Sequence, residues 1–151
     1  MSAALHIRAI QRHDAAQVAA LSLQLGYQRS PEQILNWIDI HDASTQTVFI
    51  AHRENEVLGW IEVSVVTHLQ SDRHTLIGGL VVKEGTRGLG IGRKLCEQAE
   101  AWTAAQNIAT IRVTSRSTRE DAHRFYLRDG YEQVKTSAVF EKRLGTEAPS
   151  S

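Results

Sequence analysis

The chain has a single cysteine, no excess charge of either sign and no long apolar run. Each scarcity removes a class of protein. Cys96 alone cannot close an internal disulfide, and a lone thiol one turn into a helix reads as small core filling that fits a reducing compartment. Seventeen basic residues cancel seventeen acidic ones, so the sequence-independent attraction that nucleic-acid binders rely on is missing, and no nucleic-acid partner is expected. No stretch of about 18 apolar residues is available to span a bilayer. The segment Met1-Ser2-Ala3-Ala4-Leu5-His6 lacks a basic region followed by an apolar core, so the expectation is a cytoplasmic protein with no membrane partner. The histidines show neither His-Glu-x-x-His nor paired Cys/His spacing, which predicts no metal. No internal repeat is visible, and 151 residues, 42% hydrophobic and 23% charged, fit one soluble domain with one core.

What is present is concentrated in one stretch, Leu80-Val81-Val82-Lys83-Glu84-Gly85-Thr86-Arg87-Gly88-Leu89-Gly90-Ile91-Gly92-Arg93-Lys94-Leu95. An apolar strand runs into a basic, glycine-rich turn that opens into an amphipathic helix, with Ile91, Leu95, Ala99 and Trp102 on one face. The first N–H groups of a helix have no internal partner and carry the positive end of its dipole. A loop without Cβ atoms lets a phosphate approach them. Gly88, Gly90 and Gly92 supply bare backbone, Leu89 and Ile91 lie between them, and Arg87, Arg93 and Lys94 add charge. A dinucleotide fingerprint counted from Gly88 and Gly90 needs its third glycine where Arg93 stands, and a Walker loop from Gly85 to Gly90 needs Lys where Ile91 stands.

The spacing that does fit is Arg-x-x-Gly-x-Gly at Arg87, Gly90 and Gly92, after Leu80-Val81-Val82. A second element follows, Ala122-His123-Arg124-Phe125-Tyr126-Leu127-Arg128-Asp129-Gly130-Tyr131, of the form A-x-x-F-Y-x-x-x-G-[FY]. With both motifs in this order the chain resembles the GNAT superfamily of acyl-CoA-dependent N-acetyltransferases over roughly residues 5 to 143. The resemblance implies acetyl-CoA as acyl donor and an amine as acceptor. It implies that the pyrophosphate sits on the Arg87–Gly92 loop and that the pantetheine arm enters a gap beside Leu80, Val81 and Val82, near Phe125. Where the family motif often carries Asn, this chain has Arg119, which like Arg124 could meet the cofactor's phosphates.

Taken in order, Leu5 to Ile10 reads as a first strand, Asp14 as the N-cap of a helix ending near Gly26, and Ser30-Pro31-Glu32-Gln33 as a capping box with Pro at the first helical position. Thr47 to Ala51 and Val57 to Val66 form a hairpin, in which Trp60, Glu62, Ser64 and Val66 share a face. Arg73 to Val82 is a strand that Gly78-Gly79 should bulge. Ala109 to Ser115 is a fifth strand, parallel through the helical crossover. Thr118 caps a fourth helix stopping at Gly130, and Tyr131 to Val134 with Ala138 to Arg143 make a closing hairpin. The expected fold is mixed α/β (α+β), GNAT-like, with a mostly antiparallel sheet of about seven strands, a splayed parallel fourth and fifth pair, and helices on both faces. One N-acetyltransferase domain would span 1–144, with a disordered tail at 145–151. The strand Ala138 to Arg143 could pair across a homodimer.

For transfer to an amine, the nucleophile must be neutral, the carbonyl oxygen stabilised and the leaving thiolate protonated. Backbone N–H groups near Leu80 to Val82, freed by the bulge, are candidate oxyanion donors. The resemblance assigns the proton donor to Tyr126. The base is open among Glu62, His74 (counted back along the Val82 face) and an ordered water. Tyr27, Trp37, Asp39, Asp42 and Glu62 fall where relatives hold the acceptor, a set suited to a cationic amine. The leading function is acetylation of a small-molecule primary amine by direct attack in a ternary complex. Acetylation of protein N-termini or lysines, and a non-catalytic acyl-CoA-binding regulatory module, stay open.

Overall fold

Two strands, β3 (Glu56–His68) and β4 (Ser71–Val82), run 13 and 12 residues, about twice the common strand length, and the sheet is built outward from their hairpin. The structure is a computed structural model that describes residues 4–86, 88–114 and 120–145. Strand β2 (Gln46–Arg53) pairs antiparallel with β3, and β1 (His6–Ala9) with β2. On the other side β5 (Ile111–Val113) pairs parallel with β4, giving the order β1-β2-β3-β4-β5. A parallel neighbour needs a long crossover, and helix α3 (Ile91–Ala105) supplies it.

The β3 alternation sets the layers. Ile61 and Val63 are fully buried on the side where α3 seats Ile91, Leu95, Cys96 and Ala99. On the opposite side Val48, Ile50 and Val81 pack with Ala15, Val18, Ala19 and Leu21 of α1 (Ala15–Ser22) and Ile34 of α2 (Pro31–Ile40). Helices thus cover both faces. A buried hydroxyl pair, Thr75 Oγ1 to Thr103 Oγ1 at 2.6 Å, ties β4 to α3.

Helix starts follow the sequence in one case and depart from it in another. At α2 both capping-box bonds form: Gln33 N–H donates to Ser30 Oγ and Ser30 N–H to Gln33 Oε1. Asp14 precedes α1, but its carboxylate does not cap the helix. It is buried and accepts two bonds from the Arg8 guanidinium, at 2.7 and 2.8 Å, and one from Gln11 N–H at 2.7 Å. Burial pushes its pKa up; the bonds from Arg8 and Gln11 outweigh that and hold it below the ordinary carboxylate value. α1 passes through a 3-10 turn, Leu23–Leu25, to Gly26 at φ +82°.

The chain divides into two compact units, Met1–Thr114 and Ser115–Ser151. In the second, α4 (Glu120–Arg128) ends at Gly130, φ +92°, as its glycine predicts. The Thr118 cap lies outside the described residues. The described residues hold five strands rather than about seven: 131–143 forms no ladder, and Val134, Val139 and Phe140 stay exposed. The segment between the expected strands, Lys135-Thr136-Ser137, has no glycine or asparagine to set a tight turn, and a two-stranded hairpin without further cover is marginal. Among the described residues no helix is long and apolar enough to cross a membrane.

Candidate functional site

One extra residue in β4 creates the central feature. Ile77 is the partner of Val63 and Gly79 that of Glu62, so Gly78 is left over as a bulge. A bulge shifts the alternation by one. Leu80 and Val82 therefore share the α3 face with Ile77, while Val81 lies on the face of Glu62. Counting His74 onto the Val82 face fails for this reason: across the bulge it falls on the Glu62 side. His74 is also buried at the far end of β4, its Nδ1 3.2 Å from Asp72 O and its ring beside His68. Three residues lie between it and Gly78, roughly 13 Å of strand.

Glu62 stands at the bulge itself. A Cβ added to Gly78 would lie 3.6 Å from the Glu62 carboxyl carbon, so the carboxylate rests against bare backbone. The Trp60 ring covers Gly79 in the same way, at 3.0 Å. Glu62 has no hydrogen-bond or ion-pair partner among the described residues, and burial raises its pKa above the ordinary carboxylate value. The indole Nε1 of Trp60 is likewise buried without a partner. The other candidate acids differ. Asp39 pairs with Arg12, and Asp42 accepts from Ser44 Oγ at 2.7 Å and Ser44 N–H at 3.0 Å. Trp37 stacks on His41 at 4.4 Å, and Tyr27 is exposed.

Beyond the bulge one edge of β4 is open among the described residues. β5 pairs only with Thr75, Leu76 and Ile77. Lys83 N–H donates to Leu58 O at 2.8 Å, toward β3, so by alternation the main-chain groups of Leu80 and Val82 face the open edge. From Gly78 to Val82, whose carbonyl accepts from Gln24, this edge extends for roughly 13 Å.

The loop that follows is shaped by left-handed glycines: Gly85, Gly88 and Gly90 have φ +82°, +90° and +68°. At Gly88 and Gly90 an added Cβ would meet nothing within 4 Å, so glycine serves the backbone turn there rather than close packing. Gly90 is the N-cap of α3 and brings no side-chain cap. Lys94 N–H makes the first helical bond, to Gly90 O at 3.0 Å, which leaves the N–H groups of Ile91 and Gly92 at the open start of the helix. Leu89 and Lys94 are exposed, and Arg93 reaches Glu97 at 3.5 Å. Arg87 and Arg119 lie outside the described residues. The structure thus places Leu80, Val82 and the residues from Gly88 to Arg93 along one strand-loop-helix path, sets Glu62 of the neighbouring β3 against Gly78, and leaves His74 apart.

In the second unit, Phe125 and Tyr126 pack edge to face at 5.2 Å, and Tyr126 meets Tyr131 at 5.7 Å. One residue escaped the sequence reading. Gln24, just past α1, contacts both Val82 and Glu84, and a lone glutamine outside any motif carries no signal of that.

The profile of the acetyltransferase (GNAT) family matches residues 13–131. An aminoalkylphosphonate N-acetyltransferase of Salmonella typhimurium is 36% identical over 85 residues, which are 56% of this chain and 55% of that protein. The match therefore spans about half the length of that relative. An aminoglycoside 6'-N-acetyltransferase of Acinetobacter baumannii aligns with a TM-score of 0.80 at 16% identity, over 94% of this chain and all of the other. An aminoglycoside N-acetyltransferase in complex with CoA aligns with a TM-score of 0.82 at 17% identity, over 95% and 98% of the two chains. At such identities the likeness of these two is one of fold.

Proposed function

Because the chain belongs to the acetyltransferase (GNAT) family, we propose that it is an acyl-CoA-dependent N-acetyltransferase acting on a primary amine of a small molecule. The observation that carries this reading is the continuity of the open β4 edge with the left-handed glycine loop. A ligand that pairs with main chain like a strand and ends in phosphates fits both. Leu80 and Val82 would hold its arm, and the N–H groups of Ile91 and Gly92 its phosphates, with the side chains of Arg87 and Arg93 adding charge. Arg119 and Phe125 join the cofactor set through their motif. Acetyl-CoA, when bound, supplies the acyl carbon and a thiolate leaving group.

The chain's own groups meet the remaining needs. Glu62, desolvated and unpaired, attracts an ammonium and takes its proton, leaving a neutral nucleophile; its raised pKa brings it closer to the amine's. His74, at the other end of β4, is the weaker candidate for that step. The main-chain N–H of Leu80, next to the bulge, donates to the oxygen that gains charge as the C–N bond forms. Tyr126 hands its phenolic proton to sulfur as the C–S bond breaks, a role that rests on its place in the second motif. The unpaired Glu62 also speaks against a purely cofactor-binding module, which has no use for a desolvated acid. A small acceptor is supported by the aminoalkylphosphonate-acetylating relative. One acetyltransferase domain over 1–144 accommodates both motifs.

Calorimetric titration with acetyl-CoA, followed by thiol release across aminoalkylphosphonates, aminoglycosides, polyamines and peptides, tests the proposal. Binding with turnover of small amines is expected. A folded chain that ignores acetyl-CoA overturns it, and turnover confined to peptides overturns the acceptor class.

A further inference from the structure

Gln24 stands on the 3-10 turn Leu23–Leu25, outside both motifs. Its side-chain amide meets the end of β4 twice: Nε2 donates to Val82 O at 3.1 Å, and Oε1 accepts from Glu84 N–H at 3.2 Å. Those are the two bonds that a residue of a parallel strand makes to its neighbour, one on each side of the residue opposite. The same edge of β4 is therefore covered at two places, by β5 at Thr75–Ile77 and by Gln24 at Val82 and Glu84. The open stretch lies between them. The root of the glycine loop is held in a complementary way: Lys83 by Leu58 O, Thr86 Oγ1 and Glu56, and Glu84 by Gln24. Gly85 turns left-handed immediately afterwards.

We propose that Gln24 is a positioning residue that fixes the phosphate-side end of the cofactor groove, holding the strand edge and the glycine loop in one register. The inference rests on the acetyl-CoA reading given above. Gln24 acts on the main chain rather than on the reacting atoms, so its loss weakens acetyl-CoA binding and leaves the chemical step in place. Gln17 is an internal control with the same chemistry. Its amide donates to Asn55 O at 3.0 Å and accepts from Val57 N–H at 2.9 Å, at the turn between β2 and β3.

The test compares wild type, Gln24→Met, Gln24→Ala and Gln17→Met by acetyl-CoA titration and steady-state kinetics. Two hydrogen bonds of modest net value predict a Kd and KM for acetyl-CoA raised about fivefold to tenfold in both Gln24 variants. The kcat and the KM for the amine should stay within about twofold. Gln17→Met should bind acetyl-CoA as wild type does. Undiminished or tighter binding by the Gln24 variants, or an equal loss in Gln17→Met, overturns the role of Gln24 alone. Absence of binding to wild type overturns the cofactor reading and this role with it.

Discussion

Glu62 is a carboxylate taken largely out of water with no cation or donor among the described residues to compensate it. Such a group costs stability in its charged form, and the proposed role as base would give that cost a use. Only the ionised form can take a proton, so the rate should fall on acidification through a value above the ordinary carboxylate range. Glu62→Gln should lower kcat/KM about 100-fold or more and remove that limb from the pH–rate profile; a variant that keeps the limb assigns the base elsewhere. For Tyr126→Phe, kcat should drop about tenfold or more with acetyl-CoA affinity unchanged, read by single-turnover kinetics beside calorimetry. The sequence offers both as candidates, because one lies in a motif and the other beside a tryptophan on an alternating strand. Their surroundings were not legible there: the contact of Glu62 with Gly78 depends on which residue bulges, and that is settled by pairing across strands rather than by local spacing.

At the level of elements, glycines do two different jobs, and substitution separates them. Gly90 caps α3 at φ +68° with open space around it. Gly90→Ala meets no neighbour but strains the backbone by about 1 kcal/mol. Acetyl-CoA affinity should fall while thermal stability changes little. Gly59 carries the opposite constraint: an added Cβ would stand 2.9 Å from Val81 O, 3.0 Å from Ile91 Cγ2 and 3.2 Å from Leu95 Cδ1. Gly59→Ala should push α3 from the sheet and cost about 1–3 kcal/mol, seen as a lowered denaturation midpoint. The loop glycines and the α2 capping box could be read directly because each is a local device, complete within a few residues. The His74 face and the closing hairpin could not, since one turns on a bulge and the other on cover that 131–143 lacks among the described residues.

For the molecule as a whole, two carboxylates bend stability against pH in opposite directions. Asp14 has a lowered pKa in the folded chain. Its contribution is fully present above the unfolded value of about 4 and is lost as pH falls through the lower, folded one. Glu62 has a raised pKa. The folded chain keeps that proton longer than the unfolded chain, so the penalty of its charge is absent at low pH and grows as pH rises through the folded value. On acidification from neutrality Glu62 protonates first, with a gain in stability, and Asp14 later, with a loss. The melting temperature should therefore peak on the acid side of neutrality. Glu62→Gln should raise it at pH 7 by roughly 2 °C and flatten the slope between the peak and neutrality. Asp14→Asn strips the paired, hydrogen-bonded anion from beside Arg8 and should lower it at pH 7 by roughly 6 °C, about 2 kcal/mol, while weakening the fall at acid pH. Melting curves of the three proteins across pH 3 to 9 check both signs at once. A wild-type maximum that stays put in Glu62→Gln would mean that the carboxylate at the bulge finds compensation in the folded chain, and the amine would then meet a base that is already occupied.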